Sequence, residues 1–78
     1  MTLGKFIRAK RAERGLTLQQ IADVFGIGRA SVSDWESGKT RPDATRIVKL
    51  AEVLGVSTDT LLAYLPNSRK TGTHFDES

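Results

Sequence analysis

The sequence contains no cysteine and a single histidine, His74, among its 78 residues. Without cysteine there is neither a disulfide framework nor a thiolate metal site, and one histidine cannot build a histidine zinc site. Stability must therefore come from packing, which suits a reducing cytosol. We expect no metal and no cofactor.

Long apolar segments are also missing. No run approaches the roughly 20 residues of a membrane-spanning helix. Residues 1–15 lack the apolar middle of a signal peptide. We therefore expect a soluble, cytoplasmic protein without a membrane partner. A Ser/His/Asp set, a carboxylate pair and a phosphate-binding glycine loop are absent as well, which argues against an enzyme and against a small-molecule substrate.

What the sequence does contain is enough for one small domain. Hydrophobic residues make up 38% of the 78 residues, close to the lower limit for a core without cross-links. The net charge is +3, but eight basic and four acidic residues lie within residues 1–41, against two basic and three acidic within residues 42–66. This asymmetry is typical of a surface for a polyanion. An ordinary solvated surface with uneven charge fits it equally well.

Hydrophobic periodicity predicts five short helices and no strand. The predicted helices cover residues 2–14, 17–25, 29–37, 43–54 and 58–65. The cleanest pattern lies in the fourth, where apolar residues recur at i, i+3, i+4 and i+7 as Ile47, Leu50, Ala51 and Leu54. From residue 67 onward no period remains, so we expect a folded domain over residues 1–66. Residues 67–78 are predicted to form a flexible tail or the start of a linker.

Residues 17–38 read as two short helices joined by a tight turn at Gly26. Thr17 and Gln20 form a capping-box signal at the start of the first. The second offers only Val32 and Trp35 for an inward face, so Trp35 is predicted to be a core residue rather than a stacking platform. A helix with so thin an apolar seam has its outer face free, and reading a DNA groove is one use for it.

This stretch and its surroundings resemble the Cro and phage-repressor family of helix-turn-helix proteins. The resemblance covers residues 3–65 and is carried by Arg11, LTLQQIA at 16–22, Gly26, SVSDWESGK at 31–39, Pro42 and LAEVLGVS at 50–57. It implies a compact, all-α, five-helix lambda-repressor-like domain with its helix-turn-helix on helices 2 and 3. It also implies a transcription regulator that binds double-stranded DNA in the major groove. We expect a phage or prophage repressor, or a Cro-like protein, that acts as a homodimer on a two-fold operator.

The resemblance implies that residues on the outer face of helix 3 contact base edges. The corresponding residues here are Arg29, Ala30, Ser33 and Asp34. Arg29 can donate two hydrogen bonds to guanine O6 and N7, a contact worth about 1–3 kcal/mol, and Ala30 can pack on a thymine methyl group. Ser33 can read either kind of base. Asp34 either accepts from a cytosine amine or orients Arg29 or another cation.

Phosphate contacts are expected at the start of helix 2 and in the connector after helix 3. The candidates are Gln19, Ser31, Lys39, Thr40, Arg41 and Arg8. Many members of the family carry a glutamine at the position of Leu18, which bonds a phosphate and braces the first base-reading residue. Leu18 can do neither, so the bracing is expected to shift to Gln19.

Two further expectations come from the resemblance. Arg11 on helix 1 and Glu36 at the end of helix 3 are expected to form a part-buried structural ion pair. Across a dimer axis, the candidate contacts are Pro42, Val56, Tyr64 and Leu65. The same fold also serves in antitoxins, so a protein-interaction module is the alternative function. A large apolar patch on helices 4 and 5 would favour that alternative.

Overall fold

The computed structural model describes residues 2–64, which form five α-helices. In chain order these are α1 (Leu3–Glu13), α2 (Leu18–Phe25), α3 (Arg29–Ser37), α4 (Ala44–Leu54) and α5 (Thr58–Leu62). No strand occurs between residues 2 and 64, so the all-α prediction is confirmed. None of these helices is long and apolar enough to cross a membrane. Leu65 and the predicted tail, residues 67–78, lie outside the described residues.

Side-chain caps determine where most of the helices begin. At α2 the Thr17 side chain accepts a hydrogen bond from the Gln20 backbone N–H, and the Gln20 side chain accepts one from the Thr17 N–H. This is the predicted capping box. The equivalent cap at the start of α1, α4 and α5 is provided by Thr2, Asp43 and Ser57. The helix starts are therefore encoded locally in the sequence.

The core contains apolar side chains from all five described helices. α4 contributes the four residues that its period predicts. The other helices contribute Leu3, Ile7, Ile21, Ala22, Val32, Trp35 and Leu61. Complete burial of one large aliphatic side chain contributes about 1.5–3 kcal/mol. The core is therefore the main source of stability, as the absence of cysteine requires.

α5 is shorter than predicted. The periodicity suggested a helix to residue 65, but α5 ends at Leu62. The Tyr64 N–H bonds the Leu61 carbonyl at 3.0 Å, three residues back, so the helical spacing is already interrupted there. The Tyr64 ring stacks on Phe6 of α1 with 5.0 Å between the ring centroids. This contact with a distant helix accompanies the early end of α5.

The helices divide into two packing groups that share α1. α3 packs mainly against α1 and α2, whereas α4 packs mainly against α5 and, less extensively, α1. α1 thus links α3, which it packs against, to the part of the core formed by α4 and α5.

Candidate nucleic-acid interface

α3 turns two apolar side chains inward and leaves most of its surface free. Val32 is fully buried and Trp35 is 5% exposed. Trp35 meets Phe25 of α2 edge to face, with 5.5 Å between the ring centroids. This aromatic geometry is a favourable one. Trp35 is therefore a core residue, as predicted, and anchors α3 on α2.

The turn between α2 and α3 depends on glycine. α2 ends at Gly26, whose φ of 68° lies in the left-handed region that glycine adopts without steric cost. The half-buried Ile27 packs against the core, and its N–H donates to the Ala22 carbonyl at 3.1 Å. Gly28 then begins α3 without a side-chain cap. The turn thus brings the first residues of α3 to the surface beside α2.

The predicted base-reading residues lie along one helix and differ in exposure. Arg29, Ala30 and Ser33 are exposed, and Asp34 is half-buried. Within residues 2–64 the Arg29 guanidinium forms no ion pair, and the Asp34 carboxylate has no cationic partner. The structure therefore contains no contact by which Asp34 orients Arg29. Arg29 keeps its donors available to a ligand.

The connector after α3 presents three polar side chains on an ordered backbone. The N–H groups of Lys39 and Thr40 donate to the Asp34 carbonyl, at 2.9 and 3.4 Å. The side chains of Lys39, Thr40 and Arg41 are all exposed. Two cations and a hydroxyl therefore stand at one end of the α3 surface.

Arg11 and Glu36 form an ion pair that connects α1 to α3. Arg11 Nε donates to Glu36 Oε2 at 2.6 Å and Nη2 donates to Oε1 at 3.2 Å, while Nη1 donates to the Leu16 carbonyl at 2.9 Å. The Arg11 and Glu36 side chains are 19% and 10% exposed. The hydrogen bonds that Arg11 donates to Glu36 raise the pKa of Arg11, and burial opposes this effect. The two-pronged geometry fixes the orientation of Glu36 as well as its charge.

At the start of α2, the side chain of Gln19, which was expected to brace the first base-reading residue, bonds Asp23 instead. Gln19 Nε2 donates to Asp23 Oδ1 at 2.8 Å, and within residues 2–64 this is its one side-chain partner. Its amide is therefore engaged within α2 and does not reach Arg29. The pairing of Gln with Asp four residues later on a helix is a known stabilising pattern, which sequence reasoning could have found.

Leu18 lies half-buried at the edge of a small open pocket between α1, α2 and α3. The pocket measures about 270 Å³ and is lined by Arg8, Arg11, Leu18, Ser33, Glu36 and Ser37. It brings the exposed Arg8 of α1 to the same side of the molecule as Ser33. Ser31, another phosphate candidate, is half-buried on α3.

The predicted dimer contacts within residues 2–64 are partly or wholly covered by this chain itself. Pro42 is buried within this chain, and Val56 and Tyr64 are half-buried. Tyr64 also stacks on Phe6, so one of its faces is already covered. Leu65 lies outside the described residues. The dimer surface stays a prediction.

Sequence reasoning missed the role of Gly4. A Cβ atom at this position of α1 would lie 2.6 Å from the carbonyl oxygen of Trp35 in α3. α1 and α3 therefore touch backbone to backbone. An isolated glycine inside a helical pattern was the available signal, because glycine is about 1 kcal/mol less favourable than alanine in a helix and its presence suggests a packing reason.

The surface assembled here can form hydrogen bonds and neutralise charge. α3 carries an exposed guanidinium, a methyl group and a hydroxyl along one face, and two cations follow it in the connector. An α-helix fits the B-DNA major groove, whose base edges present donors, acceptors and thymine methyl groups. No cluster of acidic, histidine or cysteine side chains suited to a metal ion occurs among residues 2–64.

Comparison with known proteins identifies the family. The helix-turn-helix family model matches residues 7–61. The chain is 41% identical over 59 residues to the SPbeta prophage-derived HTH-type transcriptional regulator YonR of Bacillus subtilis. The aligned residues make up 76% of this chain and 55% of the relative. It is 34% identical over 73 residues to the HTH-type transcriptional regulator ImmR of the same organism. This alignment covers 94% of this chain and 58% of the relative.

A phage protein is among the matches. Repressor protein C2 of Salmonella phage P22 is 28% identical over 60 residues, which is 77% of this chain and 28% of the relative. The chain thus spans about half the length of the first two relatives and less of the third. The family match includes most of α1 and the whole of α2, α3 and α4. The chain belongs to the helix-turn-helix family.

Proposed function

We propose that this chain is the DNA-binding part of a transcriptional regulator that acts in the bacterial cytosol as a phage or prophage repressor. The observation that carries the proposal is the exposed face of α3, on which Arg29 has no ion pair within residues 2–64 and which two other helices support. The names of the relatives, a prophage-derived regulator and a phage repressor among them, support the same function. The proposed function is binding and includes no catalytic step.

In this proposal α3 lies in the major groove of double-stranded DNA. Arg29 donates to a guanine, Ala30 packs on a thymine methyl group and Ser33 reads a neighbouring base. Asp34 is half-buried and negative, so it accepts from a cytosine amine only where the phosphates are distant. These contacts specify sequence, and Arg29 is the strongest of them.

Phosphate contacts fix the position of the helix without reading sequence. Lys39, Thr40 and Arg41 are exposed in the connector, and Arg8 lies beside the pocket that α3 borders. Ser31 and Gln19 take smaller parts, because Ser31 is half-buried and the Gln19 amide is engaged by Asp23. All of these groups except Ser31 come from α1, α2 and the connector, so they flank α3 on the DNA.

A single module of this size makes few base contacts, so two copies on a two-fold operator would combine two half-sites. Their α3 helices would lie about 34 Å apart, one turn of DNA. An interaction module of the antitoxin kind is less well supported. The large apolar side chains exposed within residues 2–64 are Val24 and Val48, on different helices. Single exposed apolar residues are ordinary on protein surfaces.

Selection of tightly bound duplexes from a random DNA library tests this proposal. We expect a palindromic consensus whose half-site centres are about 10 base pairs apart. The consensus should bind roughly a thousandfold more tightly than a scrambled duplex at the same salt concentration. A consensus without two-fold symmetry would contradict the dimer alone. Absence of any enriched sequence would contradict sequence-specific binding and would favour the alternative function, a protein-interaction module.

A further inference from the structure

The contact between Gly4 and α3 is the closest approach of backbones found for any glycine among residues 2–64. A Cβ atom on Gly4 would lie 2.6 Å from the carbonyl oxygen of Trp35 and 2.8 Å from the carbonyl carbon of Glu36. These are backbone atoms, which cannot swing aside as the end of a side chain can. The hydrogen atom of glycine is therefore what lets α1 rest on the last turn of α3.

The two helix ends that meet there are of opposite polarity. Gly4 is in the first turn of α1, and Trp35 and Glu36 are in the last turn of α3. The last carbonyl groups of a helix lack helical partners and carry partial negative charge, whereas the first turn carries partial positive charge. Close approach at Gly4 thus brings the positive end of α1 to the negative end of α3.

Gly4 and Arg11 hold the same residue of α3. They lie on one face of α1, seven residues apart with the buried Ile7 between them. Arg11 donates hydrogen bonds to the Glu36 carboxylate, and the backbone of Gly4 contacts the backbone of Glu36. The ion pair fixes a side chain, which can rotate. The backbone contact fixes the distance between the helix axes.

We infer that Gly4 is a positioning residue for DNA recognition, because it sets how α3 is tilted on α1. This inference rests on the proposed function, in which α3 reads the major groove. Arg29 lies at the opposite end of α3 from the Gly4 contact. A displaced last turn therefore rotates the whole reading face, and Arg29 with it.

Gly4→Ala tests the inference because the change adds one methyl group at the contact. The methyl group would meet the carbonyl oxygens of both Glu36 and Trp35, the latter at 2.6 Å, so one of the two helices must move to restore an ordinary separation of at least 3.4 Å. Within a helix the same substitution otherwise favours folding. A weaker recognition of DNA is thus due to the contact and not to helix propensity.

The experiment uses the whole chain and the duplex consensus from the selection described above. Affinity for the consensus and for a scrambled duplex is measured at one salt concentration, on protein shown to be folded by circular dichroism. We expect Gly4→Ala to weaken consensus binding about tenfold or more, since Arg29 is then misaligned for a bidentate hydrogen bond to guanine. Binding to the scrambled duplex should change by less than about twofold, because phosphate contacts tolerate small shifts.

Ile47→Val is the control, because it weakens the core from α4, which packs mainly against α5 and α1. The folded Ile47→Val protein should keep the full preference for the consensus. If Gly4→Ala weakens binding to both duplexes equally, or keeps its preference, Gly4 is merely structural and the inference is wrong. If no consensus emerges from the selection, the proposed function fails and the inference fails with it. Failure of the inference alone, seen in the Gly4→Ala binding data, is therefore distinguishable from failure of the proposed function, seen in the selection.

A second variant covers the case in which Gly4→Ala does not fold. Thr45 and Val48 are exposed on α4, and alanine at either position raises helix propensity. Gly4→Ala is then measured in the Thr45→Ala and Val48→Ala background, against that background alone. The same reduction in preference supports the inference, and an unchanged preference overturns it.

Discussion

α3 and α4 are similar in length but are held in place by different means. α4 has 11 residues and buries four apolar side chains, whereas α3 has 9 residues and buries two. α4 depends on packing, which is strong but not directional. α3 depends on an ion pair, an edge-to-face aromatic contact and a close backbone approach, all of which are directional. A helix that must keep its outer face free is thus oriented by few, specific contacts.

The comparison predicts that α4 carries more of the stability. Leu50→Ala should lower the free energy of unfolding by about 2–5 kcal/mol, since a fully buried leucine leaves a cavity. Urea denaturation measures the change, and Val48→Ala is the control because Val48 is exposed on the same helix. The folded fraction of Leu50→Ala should keep its preference among duplexes. A change below about 1 kcal/mol would show that α4 is not the main support.

The ion pair is the next largest effect. Arg11→Met leaves the Glu36 carboxylate without its partner and should destabilise the fold by about 2–3 kcal/mol, below the value for a fully buried pair because part of Arg11 reaches solvent. Thermal or urea unfolding measures it. Lys10→Met removes the exposed Lys10–Glu13 pair and should cost about 1 kcal/mol or less. Equal destabilisation in the two variants would mean that the Arg11 pair is no more than a surface contact.

A double variant then separates the attraction between Arg11 and Glu36 from the cost of leaving the Glu36 carboxylate without a partner. Arg11→Met with Glu36→Leu removes both charges and should recover most of the stability that Arg11→Met alone removes. If recovery is complete while preference among duplexes falls, the ion pair serves orientation. If preference is unchanged, the contact at Gly4 suffices to orient α3.

The parts of this fold that were predictable are those written locally in the sequence. The period of α4 and the capping box of Thr17 and Gln20 both involve residues within a few positions of one another. The Arg11–Glu36 pair spans 25 positions, and the resemblance to a family suggested it where spacing could not. Local signals therefore predicted the helices, and the family pattern predicted one of the contacts between them.

Contacts between helices explain what was missed. The stacking of Tyr64 on Phe6 joins the two ends of the described chain, and no local pattern predicts this contact or the end of α5 at Leu62. The sequence marks Gly4 only as a glycine inside a helix, and the position of α3 against it is what reveals the close approach. At the candidate site, the residues that contact bases or phosphates stay predictions, because their roles depend on a ligand.

Arg29→Ala tests the free face of α3 directly. The change should reduce discrimination at one base position by about 1–3 kcal/mol and leave binding to scrambled duplexes nearly unchanged. Competition among duplexes that differ at single positions measures it. Arg14→Ala is the matched control, because Arg14 is exposed just after α1, beside Gly55, which follows α4. An equal reduction in affinity on all sequences would mean that Arg29 contacts only phosphate.

The smallest expected effect belongs to the connector, where contacts add affinity without reading sequence. Lys39→Ala should weaken binding to every duplex by a similar factor and reduce the slope of log affinity against log salt by about 0.9, the value for neutralising one phosphate fewer. Lys49→Ala removes the same charge from the exposed surface of α4 and should leave the slope unchanged, although both variants lower the net charge equally. If the two variants flatten the slope alike, the long-range charge of the domain, and not a contact by Lys39, governs non-specific binding. A flatter slope in Lys39→Ala alone would place the phosphate contact in the connector that leaves α3, and would extend the contrast with α4 from stability to binding.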